Sequence, residues 1–294
     1  MGRVIRAGSR DSALAVAQSM ILLNEMKLKN PDIKFELVTM KTTGDKILDR
    51  NLYDIGGKGL FVKELDRALL DGRVDIVIHS LKDLPLETDV HLPLIGFSKR
   101  ADPRDVIIYK KALDSSHGFK GCIGTSSRRR AVQLARLYPG AVFKGIRGNV
   151  QTRLRKLEAK DYDAAVFAMA GLLRLGIKNS ASRIFSTDEV IPAAGQGILA
   201  VQGRKGDDYS FAECIKCSNS FYAATAERSF IRALEGSCSS PVASYAEVSS
   251  DEIKIKGLYF SEETGRYVTG FKTGNKKDAE KIGEELALAL KRNF

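Results

Sequence analysis

The sequence has no tryptophan, three histidines, four cysteines and seven prolines in 294 residues, and each shortage closes a class of explanation. Cys122, Cys214, Cys217 and Cys238 are too few for a disulfide framework in a chain of this length, so free thiols are expected. Cys214 and Cys217 have redox or zinc spacing, but a lone pair lacks the second ligand pair of a structural zinc site, and His79, His91 and His117 stand at no metal spacing. No metal is expected. Aromatic residues make up 7% of the chain. Proteins that grip single-stranded nucleic acid set aromatics among their basic residues for stacking, and residues 128–155 hold only Tyr138 and Phe143. No apolar run approaches the roughly 20 residues that span a bilayer, and Met1-Gly2-Arg3-Val4-Ile5-Arg6 enters a folded pattern without an apolar signal core. The expectation is a cytoplasmic protein with neither a membrane nor a nucleic acid as partner.

What the chain has in excess is positive charge: 47 Lys and Arg against 36 Asp and Glu, a formal net charge of +11. Arg128, Arg129, Arg130, Arg147, Arg153 and Arg155 fall in two short phrases, Gly124-Thr125-Ser126-Ser127-Arg128-Arg129-Arg130 and Ile146-Arg147-Gly148-Asn149-Val150-Gln151-Thr152-Arg153-Leu154-Arg155, with Arg136 between them. The planar guanidinium binds carboxylate or phosphate through paired hydrogen bonds and keeps its charge in any protein setting, so the region reads as an anion site. A solvated basic helix face is the plain alternative, and it suffices for Arg136 and Arg155. Arg129, Arg130, Arg147 and Arg153 recur at two strand-to-helix turns, where ligands of open α/β sheets bind.

The hydrophobic pattern is that of repeated strand, turn and helix, an α/β protein. It predicts strands over 4–8, 33–40, 74–78, 121–124, 141–146 and 164–169, and helices over 13–27, 60–70 and 128–137. Leu14, Ala17, Ile21 and Leu28 are expected on the buried face of the first helix. Residues 99–103 mark a crossover to a second domain and 190–197 a return. From about residue 221 the pattern changes to a helix reaching 234, antiparallel strands over 242–248, 252–260 and 266–273, and a helix over 278–291, a small α+β domain. The expected domains are 1–98 with 197–217, then 103–191, then 220–294.

Lys82 and Asp83 follow the apolar strand 74–78 at its carboxyl end, where chemistry is expected. A carboxylate there suits stabilising a developing cation or shuttling a proton. Arg10 and Ser12 sit at the mouth of the first helix. Gly56-Gly57-Lys58-Gly59 allows close approach of backbone to a ligand but lacks the spacing of a P-loop. Three arginines in the first turn of the helix 128–137 oppose the helix dipole by about 0.3–1 kcal/mol per group, a conflict that a bound anion removes. Cys238 lies in a turn among Gly236, Ser237, Ser239 and Ser240. A small buried hydrophobe is its plain reading, but no histidine partner stands beside it, so a tethering thiol fits better than an acyl-transfer nucleophile.

Read in order, Arg10-Asp11-Ser12 with Gln18, Gly57-Lys58-Gly59-Leu60-Phe61-Val62-Lys63-Glu64, His79-Ser80-Leu81-Lys82-Asp83, Asp102-Pro103-Arg104-Asp105, Gly124-Thr125-Ser126-Ser127, Arg147-Gly148-Asn149, Ala194-Gly195-Gln196-Gly197 and residues 235–246 closely resemble the hydroxymethylbilane synthase (porphobilinogen deaminase) family. The resemblance implies two domains like type II periplasmic-binding proteins around a cleft, plus a small C-terminal α+β domain with a three-stranded antiparallel sheet. It implies a dipyrromethane cofactor held by a thioether to Cys238, and a monomeric transferase of tetrapyrrole (haem) biosynthesis. Such an enzyme joins four porphobilinogen units head to tail with loss of ammonia and then releases a linear tetrapyrrole by hydrolysis. Its partners are porphobilinogen and the growing polypyrrole chain, whose acetate and propionate groups give the arginines a cause. Asp83 matches the catalytic aspartate. Lys82, Ser80, Thr125, Ser126, Ser127, Arg129, Arg130 and Arg153 match cofactor-binding positions, and Arg10, Ser12, Gln18, Lys58, Phe61, Arg147, Arg174 and Gln196 match substrate-side positions. Arg128 stands where many members are apolar, Ser237, Ser239 and Ser240 depart from the usual neighbours of the cysteine, and Ser9 replaces a frequent threonine. The rival reading is a non-catalytic small-anion-binding protein of the periplasmic-binding-like type, which needs neither Asp83 nor Cys238.

Overall fold

A computed structural model describes residues 3–46, 62–110, 119–159, 161–177, 182–236 and 241–292. The chain divides into two compact units, Met1–Ala101 with Gly197–Phe221, and Asp102–Gln196 with Tyr222–Phe294.

The first unit is built from β1 (Val4–Arg10), α1 (Ala13–Lys29), β2 (Lys34–Met40), α2 (Thr43–Lys46), α3 (Lys63–Leu70), β3 (Ile76–Ser80), β4 (Leu94–Phe97) and β10 (Leu199–Gly203). Its sheet has the order β2-β1-β3-β10-β4. β1 runs parallel to β2 and β3, and β10 antiparallel to both of its neighbours. One face of the sheet packs Ile5, Ala7, Ile76 and Ile78 against Leu22, Leu23 and Met26 of α1. The other packs Val77 against Leu65, Ala68 and Leu69 of α3. The buried residues of α1 are Gln18, Ser19, Leu22, Leu23 and Met26, while Ile21 and Leu28 are exposed, which corrects the expected face. Apolar residues surround this helix on nearly every side, so spacing alone selects no stripe; the polar pair Gln18 and Ser19 marks the inward side.

The second unit contains β5 (Asp105–Tyr109), β6 (Cys122–Gly124), α4 (Arg128–Leu137), β7 (Val142–Lys144), α5 (Val150–Glu158), β8 (Ala164–Ala168), α6 (Met169–Arg174) and β9 (Arg183–Ile184). Its sheet order is β7-β6-β8-β5-β9, with β6 parallel to β7 and β8 and β5 antiparallel to β8 and β9. The two sheets therefore share one topology, the pattern that the resemblance implies. In each, the antiparallel strand, β10 or β5, is the first that the chain forms after crossing from the other unit. Neither strand has a following helix in the strand, turn, helix rhythm, which is why the hydrophobic pattern passed over both.

The C-terminal part forms a meander of β11 (Ala243–Ser249), β12 (Glu252–Phe260) and β13 (Tyr267–Asn275) covered by α7 (Ser218–Ala233) and α8 (Ala279–Arg292). α8 crosses α7 at Gly283, where a Cβ would collide with the Ala226 carbonyl. Glu227 of α7 is fully buried. Its carboxylate accepts from Gly195 N at 2.6 Å and from Ala246 N at 2.7 Å, tying the 193–196 turn to the sheet.

Candidate active site

β3 delivers its polar residues to one end of the first sheet. Ser80 is followed by a single 3₁₀ turn, Leu81–Asp83, seated by the buried Leu81 and Leu84, so that half-buried Lys82 and exposed Asp83 stand clear of the core. The Ser80 hydroxyl donates to Gln18 Oε1 at 2.9 Å, and Ser12 caps α1 by accepting from Ala15 N at 3.3 Å. One cavity is lined by Arg10, Ala15, Gln18, Val62, Leu65, Ile78, His79, Ser80 and Asp83. Four residues singled out from the sequence, Arg10, Gln18, Ser80 and Asp83, thus meet in one place from β1, α1 and the end of β3. Ser12 serves as the helix cap. Lys58, Phe61 and Cys238 lie outside the described residues.

His79 had no role assigned from sequence. Its Nε2 lies 3.0 Å from Gln202 Oε1, and Gln202 Nε2 donates to the Leu92 carbonyl at 3.0 Å. The amide oxygen of Gln202 is therefore the acceptor, which places a proton on His79 Nε2. Burial pushes His79 down to about 4, against its hydrogen bond to Gln202 and the charge of Asp83, so the ring is neutral at pH 7. A histidine followed by serine at the end of an apolar strand was the available signal.

In the second unit the Thr125-Ser126-Ser127 turn is built for a helix start. Ser127 Oγ accepts from Arg130 N at 3.4 Å, Thr125 Oγ1 from Ser127 N at 3.2 Å, and Ser126 Oγ donates to the Ile146 carbonyl at 2.9 Å. The three arginines that follow divide. Arg128 pairs with Glu262. Arg129 and Arg130 turn inward, 5% and 7% exposed, and both reach the carboxylate of Asp105. The helix-dipole conflict read from the sequence is thus met in part by an anion of the chain itself, one that sequence reasoning missed. Its signal was a carboxylate heading an otherwise apolar strand, a position that demands partners.

Arg147 has one guanidinium nitrogen, Nη1, buried with no hydrogen-bond partner among the described residues. Arg153 lies over the Phe167 ring, 4.9 Å from its centroid. Arg174 closes α6, and burial pushes it down to about 10. Gln196 directs its amide Nε2 to the Pro103 carbonyl at 2.6 Å and to Asp105 Oδ1 at 2.9 Å, so both donor hydrogens are spent within the fold. Arg136 lies over the Tyr267 ring and Arg155 bonds Thr152. Among the described residues no group of three or more His, Cys, Asp or Glu could hold a metal ion, and no helix is long and apolar enough to cross a membrane.

One unit thus offers a carboxylate beside an arginine and hydrogen-bonding side chains in one cavity; the other offers guanidinium groups, partly buried, with positive charge in excess of the local carboxylate. Residues 5–212 match the family model described as porphobilinogen deaminase, dipyromethane cofactor binding domain, and residues 221–292 match porphobilinogen deaminase, C-terminal domain. The porphobilinogen deaminase of Acetivibrio thermocellus is 51% identical over 286 residues, 97% of each chain. That of Ruminiclostridium josui is 48% identical over 98% of this chain and 97% of its own, and that of Bacillus subtilis 40% identical over 99% and 93%. Together, the two matched models and these near full-length relatives show that the chain belongs to the porphobilinogen deaminase family.

Proposed function

We propose that the chain is a transferase that condenses four porphobilinogen molecules head to tail, releasing ammonia at each joining, onto a dipyrromethane bound through Cys238, and then frees the linear tetrapyrrole by hydrolysis. The observation that carries this reading is the cavity in which Asp83 stands with Arg10, Gln18 and Ser80. A carboxylate that lines the cavity can stabilise the positive charge that develops as ammonia departs, a need that a simple anion receptor does not have.

The residues present fit the cofactor. The two guanidinium groups that share one carboxylate at Asp105 carry positive charge in excess of it and are donors suited to acetate and propionate groups. When bound, dipyrromethane supplies the pyrrole carbon to which the first substrate is joined. Arg129, Arg130, Arg153 and Lys82, with Thr125, hold its carboxylates, while Ser80, Ser126 and Ser127, whose hydroxyls are engaged with Gln18, Ile146 and Arg130, shape the site. Arg10, Ser12, Gln18, Lys58, Phe61, Arg147 and Arg174 orient the incoming substrate, and Gln196 serves it by bracing the fold. The Asp83 carboxylate accepts hydrogen bonds from pyrrole N–H groups and stabilises the positive charge at the reacting carbon. The same reading places the protein in the cytoplasm as a monomer, with domains 1–98 plus 197–217, 103–191 and 220–294.

Stoichiometry tests the reading. Porphobilinogen turned over by the purified protein is expected to yield four ammonia per linear tetrapyrrole. Saturable porphobilinogen binding with no ammonia release would favour the non-catalytic binder.

A further inference from the structure

Asp105 is the first residue of β5 and fully buried, as are Val106, Ile107 and Ile108 after it. An ionised carboxylate in such a place survives only if opposite charge is held against it. Arg129 Nη2 lies 2.8 Å from Oδ2 as an ion pair without hydrogen-bond geometry; Arg130 Nη2 and Nε lie 2.7 and 3.2 Å from Oδ1; Gln196 Nε2 donates to Oδ1 at 2.9 Å. Each partner is also pinned on a second side. Arg129 Nη1 donates to the Ile191 carbonyl at 2.7 Å, Arg130 Nη1 to the Val166 carbonyl at 3.2 Å, and Gln196 to the Pro103 carbonyl at 2.6 Å.

We infer that Asp105 is the positioning residue of the arginine site. It acts on the carboxylates of the bound dipyrromethane only through Arg129 and Arg130, whose planes it fixes, Arg129 against the Ile191 carbonyl and Arg130 against the Val166 carbonyl. The inference rests on the reading that these two arginines hold that cofactor. A guanidinium anchored at two edges is immobilised before a ligand arrives, so binding forfeits little side-chain entropy. Two guanidinium groups around one carboxylate also leave one unit of positive charge in the buried cluster, which a ligand carboxylate neutralises. Burial alone would raise Asp105, but the charges of Arg129 and Arg130 and the hydrogen bonds from Arg130 and Gln196 outweigh it and hold the carboxyl well below the usual carboxylate range. The anchor therefore stays charged wherever the fold persists. Without that charge the two buried cations repel, and their forks lose the arrangement that a dicarboxylate meets.

The test is Asp105→Asn, which keeps the shape and removes the charge. Thermal melting by circular dichroism reports the fold, and intact mass of the full chain reports the fraction carrying dipyrromethane. The expected result is a cooperative melt with the loaded fraction lowered at least tenfold, an effect that a merely structural role does not produce in folded protein. If Asp105→Asn does not fold, Asp105→Glu carries the test, since it keeps the charge but displaces it by one methylene; it is expected to fold with less than half the wild-type load. A folded variant loaded within twofold of wild type for Asp105→Asn, or fully loaded for Asp105→Glu, overturns the inference, and so does failure of both to fold, which leaves Asp105 a stability residue alone. Wild-type protein without any adduct is a different failure: it overturns the functional reading beneath the inference, and the inference with it.

Discussion

The Ser80 hydroxyl donates to the side-chain carbonyl of Gln18 at 2.9 Å, one bond that joins the end of β3 to α1 directly beneath the turn that carries Asp83. Gln18 is 6% exposed, so its Oε1 cannot exchange that donor freely for water. Ser80→Ala is expected to destabilise the protein by about 1–3 kcal/mol, the penalty for a buried acceptor left unpaired, and to lower turnover because both side chains line the cavity. Denaturant melts with steady-state rates check this. Unchanged stability would mean that the bond is replaced by solvent.

Asp83→Asn keeps the size of the side chain and removes the charge proposed to stabilise the developing cation. Turnover is expected to fall by at least a hundredfold, the usual scale for losing one preorganised electrostatic contact, while intact mass shows dipyrromethane still attached. Near-normal tetrapyrrole formation by this variant would take the cation-stabilising role away from Asp83.

Local rules carried the reading where neighbours in sequence are neighbours in space. The helix expected over 128–137 is Arg128–Leu137, because Ser127 supplies the cap and the apolar spacing is clear, and the strand expected over 252–260 is Glu252–Phe260. The same rules fail at β5 and β10, whose place in each sheet depends on a chain that arrives from the other unit. They fail again at Asp105, since Arg129, Arg130 and Gln196 stand 24, 25 and 91 residues away in sequence and no periodicity reports such a pairing. Arg10, Gln18, Ser80 and Asp83 were legible as separate phrases. That they line one cavity follows from β1 and β3 being adjacent parallel strands, a fact of topology.

His79 gives the fold a pH dependence with a defined sign. The imidazole is held at about 4 in the folded protein against an ordinary value of 6.5, so between these values the unfolded chain binds the extra proton. Stability that is fully present above pH 6.5 is lost as the pH falls towards 4, by about 3 kcal/mol. Asp66 works in the opposite sense: burial and the nearby charge of Asp89 raise it to about 6, against a hydrogen bond with Gln202, and its contribution is lost as the pH rises through that value. Comparing wild type with His79→Gln isolates the histidine. The stability of wild type relative to the variant is expected to drop by about 3 kcal/mol from pH 7 to pH 4; parallel curves would show that His79 is not buried as a neutral ring.

Cys238→Ala is expected to abolish the covalent adduct, whereas Cys214→Ala and Cys217→Ala leave it in place. Mass spectrometry of the three variants decides the point, and an adduct retained without Cys238 would move the attachment elsewhere.

The proposed function has the protein build its product on a group it already carries. Intact mass of the purified full chain, taken before and after brief exposure to porphobilinogen, decides this. The expected result is a starting mass one dipyrromethane above that of the sequence, localised to Cys238 by peptide mapping, and then a ladder of one to four added pyrrole units. A folded, unmodified protein whose mass does not change with porphobilinogen would contradict it.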